Sequence, residues 1–292
     1  MYRIVVNFEN HRLERSLKIL ILGSKGQIGS FLESFLRSRG FEVIGIDLVN
    51  GELEDLRYMN ASVLDSYLRN VDFVFFLAYD VGGSSYLQDR QGSFSFISNN
   101  SLIMNNCFSS LQRIGTPFIF ASSQMSNMTF SNYGVLKAIG ERYTQALGGI
   151  TVKFWNVYGY ETDREKFHVI SDFVRMAIEN SEIRMKTTGE ESRDFLFARD
   201  CCEGLYELMM RYPTINKRQT YDLASGVWTT IHEVAEIIAL RLNVPVIRGG
   251  AKDSLQQLVR NEPRLNQLEF WSAKTKLKDG VSEIIQMFEA RT

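Results

Sequence analysis

The chain has 292 residues, of which 45% are hydrophobic and 23% are charged, and its formal net charge is -1. Such a chain can bury a substantial core, so disorder is not the default interpretation. Because the charges nearly balance, no overall field would draw the chain to nucleic acid or to an anionic membrane, and we expect a small-molecule partner instead.

The cysteines and the first residues bear on location. Cys107, Cys201 and Cys202 suit neither a disulfide framework nor the spacing of metal ligands, so we predict no metal site and a reducing cytoplasm. Residues 1–17 mix charged and apolar side chains, unlike a signal peptide, and no apolar run is long enough to cross a membrane. The segment from Tyr2 to Phe8 could be an added strand, a tail or an oligomer contact.

From Leu17 onward, short apolar runs alternate with segments of helical period, as is typical of strands covered by helices on both faces. After the first run, apolar residues recur at helical spacing from Ile28 to Leu36, and Gly40 ends that helix. We therefore predict an α/β fold with a doubly wound parallel (Rossmann) sheet and right-handed crossovers. The predicted strands are Lys18 to Leu22, Phe41 to Asp47, Asp72 to Ala78, Pro117 to Ser122 and Ile150 to Val157.

Beyond Gly159 the alternation loosens into charged and aromatic stretches, with a late strand near Gln219 to Leu223 and a helix from Ile231 to Leu242. This pattern favours a smaller, mixed C-terminal lobe that faces the substrate. We expect an N-terminal extension at 1–17, a dinucleotide-binding domain at 18–159 plus about 194–223, and a substrate-binding lobe at about 160–193 and 224–292.

A glycine-rich turn, Gly23-Ser24-Lys25-Gly26-Gln27-Ile28-Gly29, joins the first strand to the first helix. A pyrophosphate needs backbone N–H groups at a helix N-terminus and no side chain in its path, which explains glycine at such points. Three glycines at this spacing also fit an ordinary tight turn, and the flanking strand and helix favour the dinucleotide interpretation.

Asp47 lies at the end of the second predicted strand, where a carboxylate can accept hydrogen bonds from the ribose hydroxyls of adenosine. A carboxylate would repel a 2′-phosphate, so the cofactor is predicted to be NAD rather than NADP. The alternative is an exposed aspartate that begins a turn.

Tyr133 and Lys137 open a later amphipathic helix, and their spacing places phenol and ammonium on one face. A nearby cation lowers the pKa of a phenol, so Tyr133 could accept a proton from a sugar hydroxyl as hydride leaves the same carbon. Ser122 and Ser123 end the preceding strand, and a hydroxyl there could bind the reacting oxygen. We predict Ser123, Tyr133 and Lys137 as the catalytic set.

These motifs, in this order, resemble those of the extended short-chain dehydrogenases that act on nucleotide sugars, the NAD-dependent epimerase and dehydratase family. The likeness covers Leu17 to Tyr221. The segment Val81-Gly82-Gly83 is similar to one in GDP-sugar enzymes, Lys153 to Gly159 resembles the family's Arg-x-x-Asn-x-Tyr-Gly segment, and Gly189 to Asp200 resembles its Arg-Asp-Phe motif.

The resemblance implies further contacts. Arg193 would meet the substrate diphosphate, His168 would contact the sugar or phosphate or cap a helix, and Asn60 stands where many relatives carry an aspartate near the adenine. Tyr133 and Lys137 would also contact the cofactor, Lys137 as a ribose ligand. The remaining candidates for cofactor contacts are Leu77, Ala78 and Tyr79, and those for substrate contacts are Val81, Gly82, Gly83, Gln124, Asn156, Val169 and Arg260.

Departures from the family narrow the reaction. Gln124 and Met125 stand where dehydratases carry an Asp-Glu pair, so dehydration is disfavoured, and 3,5-epimerases place a cysteine at Met125. We expect NAD-dependent oxidation of a nucleotide sugar, GDP-linked, at C4, giving a keto sugar as product or as an epimerisation intermediate. A C4 or 3,5-epimerase is the alternative, and a silent NAD-binding regulatory relative is the second.

The resemblance also implies a homodimer that pairs through the Tyr133 helix and the helix from Asn100 to Arg113. Ile103, Cys107, Leu111 and Leu136 could contribute to that surface, and core packing is an equal interpretation for each.

Overall fold

The computed structural model describes residues 16–252 and 262–291. The strands of this part of the chain are β1 (Lys18–Leu22), β2 (Glu42–Ile46), β3 (Phe73–Phe76), β4 (Phe118–Ser123), β5 (Ile150–Phe154), β6 (Asn156–Tyr158), β7 (Ile183–Arg184), β8 (Ser192–Phe197), β9 (Thr220–Leu223), β10 (Trp228–Thr230) and β11 (Val246–Ile247). The helices are α1 (Gln27–Ser38), α2 (Ala61–Arg69), α3 (Ser84–Arg90), α4 (Phe94–Ile114), α5 (Asn132–Leu147), α6 (Val169–Asn180), α7 (Ala198–Met210), α8 (Ile231–Leu242) and α9 (Leu277–Glu289).

A six-stranded sheet in the order β2-β1-β3-β4-β5-β9 forms the centre, and every neighbouring pair in it is parallel. Helices α1 and α7 pack together beside one core, while α2, α4 and α5 contribute to the other. The prediction of a doubly wound parallel sheet is therefore confirmed. Since the carboxyl ends of parallel strands meet at one edge, the loops after β1, β2, β3 and β4 are brought to a common rim.

Alternation along the central strands supplies both cores. In β3, Phe73 and Phe75 belong to the core on the α1 and α7 side, whereas Val74 and Phe76 belong to the opposite core. All four side chains are fully buried, because the side chains of a strand point alternately to the two covered faces of its sheet. The near-continuous apolar runs in the sequence follow from this arrangement.

One predicted strand divides in two. The run from Ile150 to Val157 forms β5 up to Phe154 and then, beyond Trp155, forms β6, which pairs with β8 in a separate sheet. The Trp155 indole donates a hydrogen bond to Asp222 at 3.4 Å. The prediction of a single strand was wrong, because both halves are apolar and the change of sheet depends on partners far along the chain. The other predicted strands agree with the structure to within one or two residues at each end.

The second part of the molecule contains the mixed sheet β10-β8-β6, the short parallel pair β11-β7 and helices α6, α8 and α9, which share a third core. Helix α8 has the predicted bounds, and Thr230 with Glu233 forms a capping box at its start. The proposed domain limits stay a prediction, although β6 and β8 both lie in this smaller sheet. The extension at 1–17 falls almost entirely outside the described residues, as does the Tyr2 to Phe8 segment.

The four residues for which the sequence left a choice between a dimer surface and the core are buried in the core. Ile103, Cys107, Leu111 and Leu136 are at most 9% exposed and pack in the core beneath α4 and α5. Of the two interpretations left open by the sequence, core packing is the one realised. No helix within residues 16–252 and 262–291 has the length and apolar character needed to cross a membrane.

Candidate active site

The glycine-rich turn is shaped by contacts that side chains would prevent. Gly23 has φ +88°, and a Cβ there would lie 2.6 Å from the Ala78 nitrogen; a Cβ at Gly29 would lie 2.1 Å from the Gly23 oxygen. At both positions a side chain would clash with the backbone of the protein, so glycine is required for folding whether or not a ligand is bound. Gly26 differs, because its Cβ would meet no atom nearer than 3.6 Å. Its hydrogen therefore faces the open space in front of α1.

The N-terminus of α1 faces that space. Gly26 is its N-cap, and among the described residues no side chain caps it, so the first N–H groups are available to an anion. The Gln27 side chain lies elsewhere: with its amide oriented to satisfy both partners, it donates to the Val157 oxygen and accepts from the Gly159 nitrogen, each at 3.2 Å. A bare helix N-terminus behind a glycine turn fits a dinucleotide pyrophosphate.

Asp47 is held at the end of β2 by two backbone donors. Its carboxylate accepts hydrogen bonds from the Lys25 nitrogen at 2.8 Å and the Val49 nitrogen at 3.1 Å. Asp55, Leu56 and Arg57 lie on the same cavity wall, and the sequence interpretation missed them. The Arg57 guanidinium forms hydrogen bonds to Asp55 that keep the pKa of that carboxyl below its usual value, even though burial opposes this.

Asn60, predicted near the adenine, lies outside the cavity lining. Its side chain accepts a hydrogen bond from the Ser62 nitrogen at 2.9 Å and caps α2. The segment Asn60-Ala61-Ser62 before an amphipathic helix is an N-cap signature, and that signal could have indicated this role from the sequence. Five to three residues earlier, Asp55, Leu56 and Arg57 do line the cavity.

Helix α5 carries Tyr133 and Lys137 and lies very close to β4. A Cβ at Gly134 would be 2.2 Å from the Met125 oxygen, and one at Gly140 would be 2.4 Å from the Phe120 ring. Ser131 caps the helix by accepting from the Gly134 nitrogen at 3.1 Å. Small residues on the inner face thus allow the helix to bring its phenol and ammonium against the end of β4.

Ser123, Tyr133 and Lys137 meet there. Burial raises the pKa of Tyr133 to about 12, and a hydrogen bond with the Ser123 side chain acts in the opposite direction. Burial lowers the pKa of Lys137 to about 7, opposed by the charge of Glu141. The Lys137 ammonium donates to the Ala121 oxygen at 2.7 Å. A phenol with a hydroxyl partner and a nearby amine can exchange a proton with a bound alcohol.

The structure distinguishes the two serines that end β4. The Ser122 hydroxyl donates to Glu141 at 2.5 Å, and Glu141 lies 3.5 Å from the Lys153 ammonium. Ser122 therefore belongs to a polar network with Glu141, while Ser123 contacts Tyr133. The catalytic role of Ser123 stays a prediction.

The loop after β3 lines another part of the cavity. A Cβ at Gly82 would lie 2.9 Å from the Lys166 Cα, and one at Gly83 would lie 2.1 Å from the Phe167 oxygen. The Gly83 nitrogen also donates to the Lys166 oxygen at 3.0 Å. The double glycine is thus needed for close packing between this loop and the segment that carries His168.

A polar cluster joins the same two segments. Asp80 accepts hydrogen bonds from the Tyr86 hydroxyl at 2.6 Å, the Asn99 amide at 3.0 Å and the Lys166 ammonium at 3.2 Å. Burial acts to raise the pKa of Asp80, but these partners keep it below its usual value. Asp80 and Lys166 both line the cavity, and neither was singled out from the sequence.

His168 is held by Glu161. One carboxylate oxygen accepts from the His168 backbone nitrogen at 2.8 Å, and the other lies 2.7 Å from the ring Nδ1. Burial acts to lower the pKa of His168, but the charge and hydrogen bond of Glu161 outweigh it, so that pKa is raised. His168 is the N-cap residue of α6, although its side chain makes no capping hydrogen bond.

The glycine turn, Asp47, the group of Ser123, Tyr133 and Lys137, and the Asp80 and His168 side chains line one cavity of about 1230 Å³, which exceeds the size usual for a single small ligand. Every predicted site residue lines it except Asn60 and Arg260, and Arg260 lies outside the described residues. Arg193 lines the cavity, and its guanidinium donates a hydrogen bond to the Ser192 backbone oxygen at 2.8 Å. Arg184, Lys186 and Lys252 add cationic groups that were not predicted.

Comparison with known proteins agrees with this geometry. A model described as the NAD dependent epimerase/dehydratase family matches residues 19–224. The chain belongs to that family. Membership confirms the predicted resemblance and the predicted cofactor, NAD, which the glycine turn and the bare α1 N-terminus fit.

Members and structural neighbours of this family are similar over nearly the whole chain. GDP-mannose 3,5-epimerase 1 of Oryza sativa subsp. indica is 25% identical over 94% of this chain and 82% of its own length. UDP-glucuronic acid decarboxylase 1 of Arabidopsis thaliana is 22% identical over 95% of this chain and 71% of its own. The structure of UDP-glucose 4-epimerase from Thermotoga maritima superimposes with a TM-score of 0.79 at 18% identity, covering 94% of this chain and 99% of that one.

Proposed function

We propose that this protein is an NAD-dependent oxidoreductase that removes a hydride from C4 of the sugar in a nucleotide sugar, with Tyr133 as the base. The proposal depends on one observation: Ser123, Tyr133 and Lys137 line the same cavity as the glycine turn before α1, and the Ser123 side chain is hydrogen-bonded to Tyr133. An alcohol bound beside these residues would lie near the Tyr133 phenol and near the part of the cavity in front of α1, where we place the cofactor.

The chain's own residues would move one proton. The Lys137 ammonium favours ionisation of Tyr133, the resulting tyrosinate takes the proton of the C4 hydroxyl, and the Ser123 hydroxyl donates a hydrogen bond to the oxygen as it becomes a carbonyl. NAD, when bound, accepts the hydride that leaves C4. Because the proton and the hydride leave together, the product is a ketone and no water is consumed.

The substrate end suits a diphosphate. Arg193, Lys166, Arg184 and Lys186 line it, and charge-assisted contacts from such groups are what a nucleoside diphosphate requires. We assign a GDP-linked sugar, as the Val81-Gly82-Gly83 similarity and the GDP-mannose 3,5-epimerases among the relatives support it. A UDP-linked sugar is the competing substrate, supported by the UDP-sugar enzymes among the relatives.

The ketone is either released or is an epimerisation intermediate. One observation favours epimerisation at C3 or C5: the Glu161 and His168 pair supplies a further acid and base in the cavity. Against it, Met125 stands where 3,5-epimerases carry a cysteine as one of their two acid/base groups. A C4 epimerase needs only return of the hydride to the opposite face. A silent regulatory protein is disfavoured, since all three catalytic residues are present and assembled.

The deciding experiment measures the absorbance of reduced nicotinamide in purified protein before and after addition of GDP and UDP sugars. In parallel, NMR in deuterium oxide follows exchange at C3 and C5 of the sugar. We expect a reduced band with one GDP sugar, and no band with Tyr133→Phe. Tyr143→Phe, an exposed tyrosine on the same helix, is the matched control and retains the band.

The outcomes separate the candidates. A persistent band with a released keto sugar indicates a dehydrogenase, and a transient band with deuterium at C3 or C5 indicates a 3,5-epimerase. A transient band without exchange indicates a C4 epimerase. Tight NAD binding with no band for any sugar would contradict the catalytic proposal and support the silent alternative.

We also propose a homodimer that uses the outer faces of α4 and α5. Phe94 and Ile97 on α4 and Val135, Ile139 and Tyr143 on α5 are apolar and exposed, with exposed fractions of 37% to 85%. Such a group of apolar side chains is typical of a protein interface.

Analytical ultracentrifugation tests the dimer. We expect the unmodified chain to sediment as a dimer and Ile139→Glu to sediment as a monomer. A monomeric unmodified chain would contradict the proposal.

A further inference from the structure

The Lys137 ammonium lies among aromatic rings rather than carboxylates. Lys137 is only 4% exposed, and its nitrogen lies 3.6 Å from the Tyr79 ring centroid, 5.1 Å from that of Phe120 and 5.8 Å from that of Tyr133. Its hydrogen bond goes to a neutral acceptor, the Ala121 oxygen. The Tyr79 ring is therefore the nearest aromatic group to a buried cation.

The charge of Glu141 acts to raise the pKa of Lys137, against the larger effect of burial, but the two side chains, both in the described part of the chain, form no hydrogen bond or ion pair with each other. Glu141, one turn further along α5, accepts from the Ser122 hydroxyl on β4 and lies 3.5 Å from Lys153 on β5. Among residues 16–252 and 262–291 no carboxylate forms an ion pair with Lys137. A buried ammonium without an ionic partner tends to lose its proton, and burial accordingly lowers the pKa of Lys137 to about 7.

We propose that Tyr79 is a positioning residue whose ring stabilises the Lys137 ammonium by a cation–π interaction and so keeps it charged beside the Tyr133 phenol. This inference rests on the role proposed above for Lys137. Cation–π attraction is strongest where water is excluded and the cation lies within about 6 Å of the ring centroid, and both conditions hold here.

The surroundings of Tyr79 fix its ring. The edge-on contact with Tyr133 has centroids 5.8 Å apart, and the Tyr79 hydroxyl lies 4.0 Å from the Met104 sulfur on α4. Burial raises the pKa of Tyr79, so its phenol stays neutral. The ring therefore acts through its π face and not as a tyrosinate anion.

The charge of Lys137 affects Tyr133, the proposed base. A charged Lys137 favours ionisation of Tyr133, whose pKa burial has raised, whereas a neutral amine would leave the phenol protonated. Tyr79 touches Lys137 and Tyr133, and we assign it no contact with the reacting carbon. Its effect is to maintain the charge of the residue that activates the base.

The test measures the titration midpoint of Lys137 in the full chain without nucleotide sugar. Lysines are labelled competitively with acetic anhydride over a range of pH, and mass spectrometry follows the peptide that contains Lys137. For Tyr79→Leu, which removes the ring, we expect the midpoint to fall by about one pH unit. Tyr79→Phe keeps the ring and should keep the midpoint.

Two results would overturn the proposal: a Tyr79→Leu midpoint equal to that of the unmodified chain, or equal shifts in Tyr79→Leu and Tyr79→Phe. If Tyr79→Leu does not fold, phenylalanines with increasing fluorination are introduced at residue 79. These retain the shape of the ring but weaken its π face, so the midpoint should fall stepwise, and a constant midpoint would contradict the inference. If only the proposed function is wrong, no nucleotide sugar is turned over, yet the Lys137 midpoint still falls in Tyr79→Leu and stays the same in Tyr79→Phe.

Discussion

The two ends of the cavity are built by different means. At the cofactor end, the main chain forms the site: Gly23 and Gly29 allow a tight turn, and the N–H groups of α1 face the open space beside Gly26. At the end proposed to hold the substrate, side chains from separate segments form the cavity wall, as in the contacts of Asp80 with Lys166 and of Glu161 with His168. The first end is therefore sensitive to added volume, and the second to removed charge.

Gly29→Ala should have the largest effect, because its Cβ would lie 2.1 Å from the Gly23 oxygen. We expect loss of NAD binding and a fall of about 1–3 kcal/mol in the free energy of unfolding, since backbone on both sides must move. Calorimetric NAD binding and urea unfolding check this. Wild-type affinity in the variant would show that the turn is not rigid.

Gly26→Ala separates folding from binding at the same turn. Its Cβ would meet no protein atom nearer than 3.6 Å, so the free energy of unfolding should change by about 1 kcal/mol or less. The added methyl group enters the space in front of α1, and NAD affinity should fall by about tenfold, as measured by the same titration. An equal loss of stability in the two glycine variants would remove the distinction between them.

Lys166→Met removes charge at the substrate end. The variant leaves Asp80 with Tyr86 and Asn99 as partners and deprives the cavity of a cation. We expect KM for the nucleotide sugar to rise by about tenfold while NAD affinity is unchanged. Lys278→Met, a matched change on the exposed side of α9, should alter neither quantity. A parallel loss of NAD affinity would show that the two ends are coupled.

Glu161→Gln should have the smallest effect, visible through its dependence on pH. Because Glu161 raises the pKa of His168 in the folded chain, the stabilisation by this pair is fully present below the ordinary histidine pKa of about 6.5 and is lost as the pH rises through the raised value. The Tm difference between wild type and variant should thus be larger at about pH 6 than at about pH 9. His168→Gln should remove this dependence, and a difference constant with pH would contradict it.

The contrast also explains which parts of the candidate site a local pattern can indicate. The glycine turn, Asp47 and the Tyr133 helix are contiguous with a strand end or a helix start, so local pattern located them. The Asn60 side chain caps α2 and lies outside the cavity lining, whereas Asp55, Leu56 and Arg57, which carry no comparable local signal, line the cavity. The Asp80 cluster was missed, since its members lie on three segments with no shared motif.

By itself, the sequence determined the alternation of buried strands with amphipathic helices, the dinucleotide turn and the order of Ser123, Tyr133 and Lys137, because each depends on neighbours along the chain. Only the tertiary structure decided the change of sheet at Trp155, the pairing of Glu161 with His168, and the place of Tyr79 against Lys137. Those features depend on which distant segments pack together, and burial and charge at such contacts are set by the assembled fold rather than by local pattern.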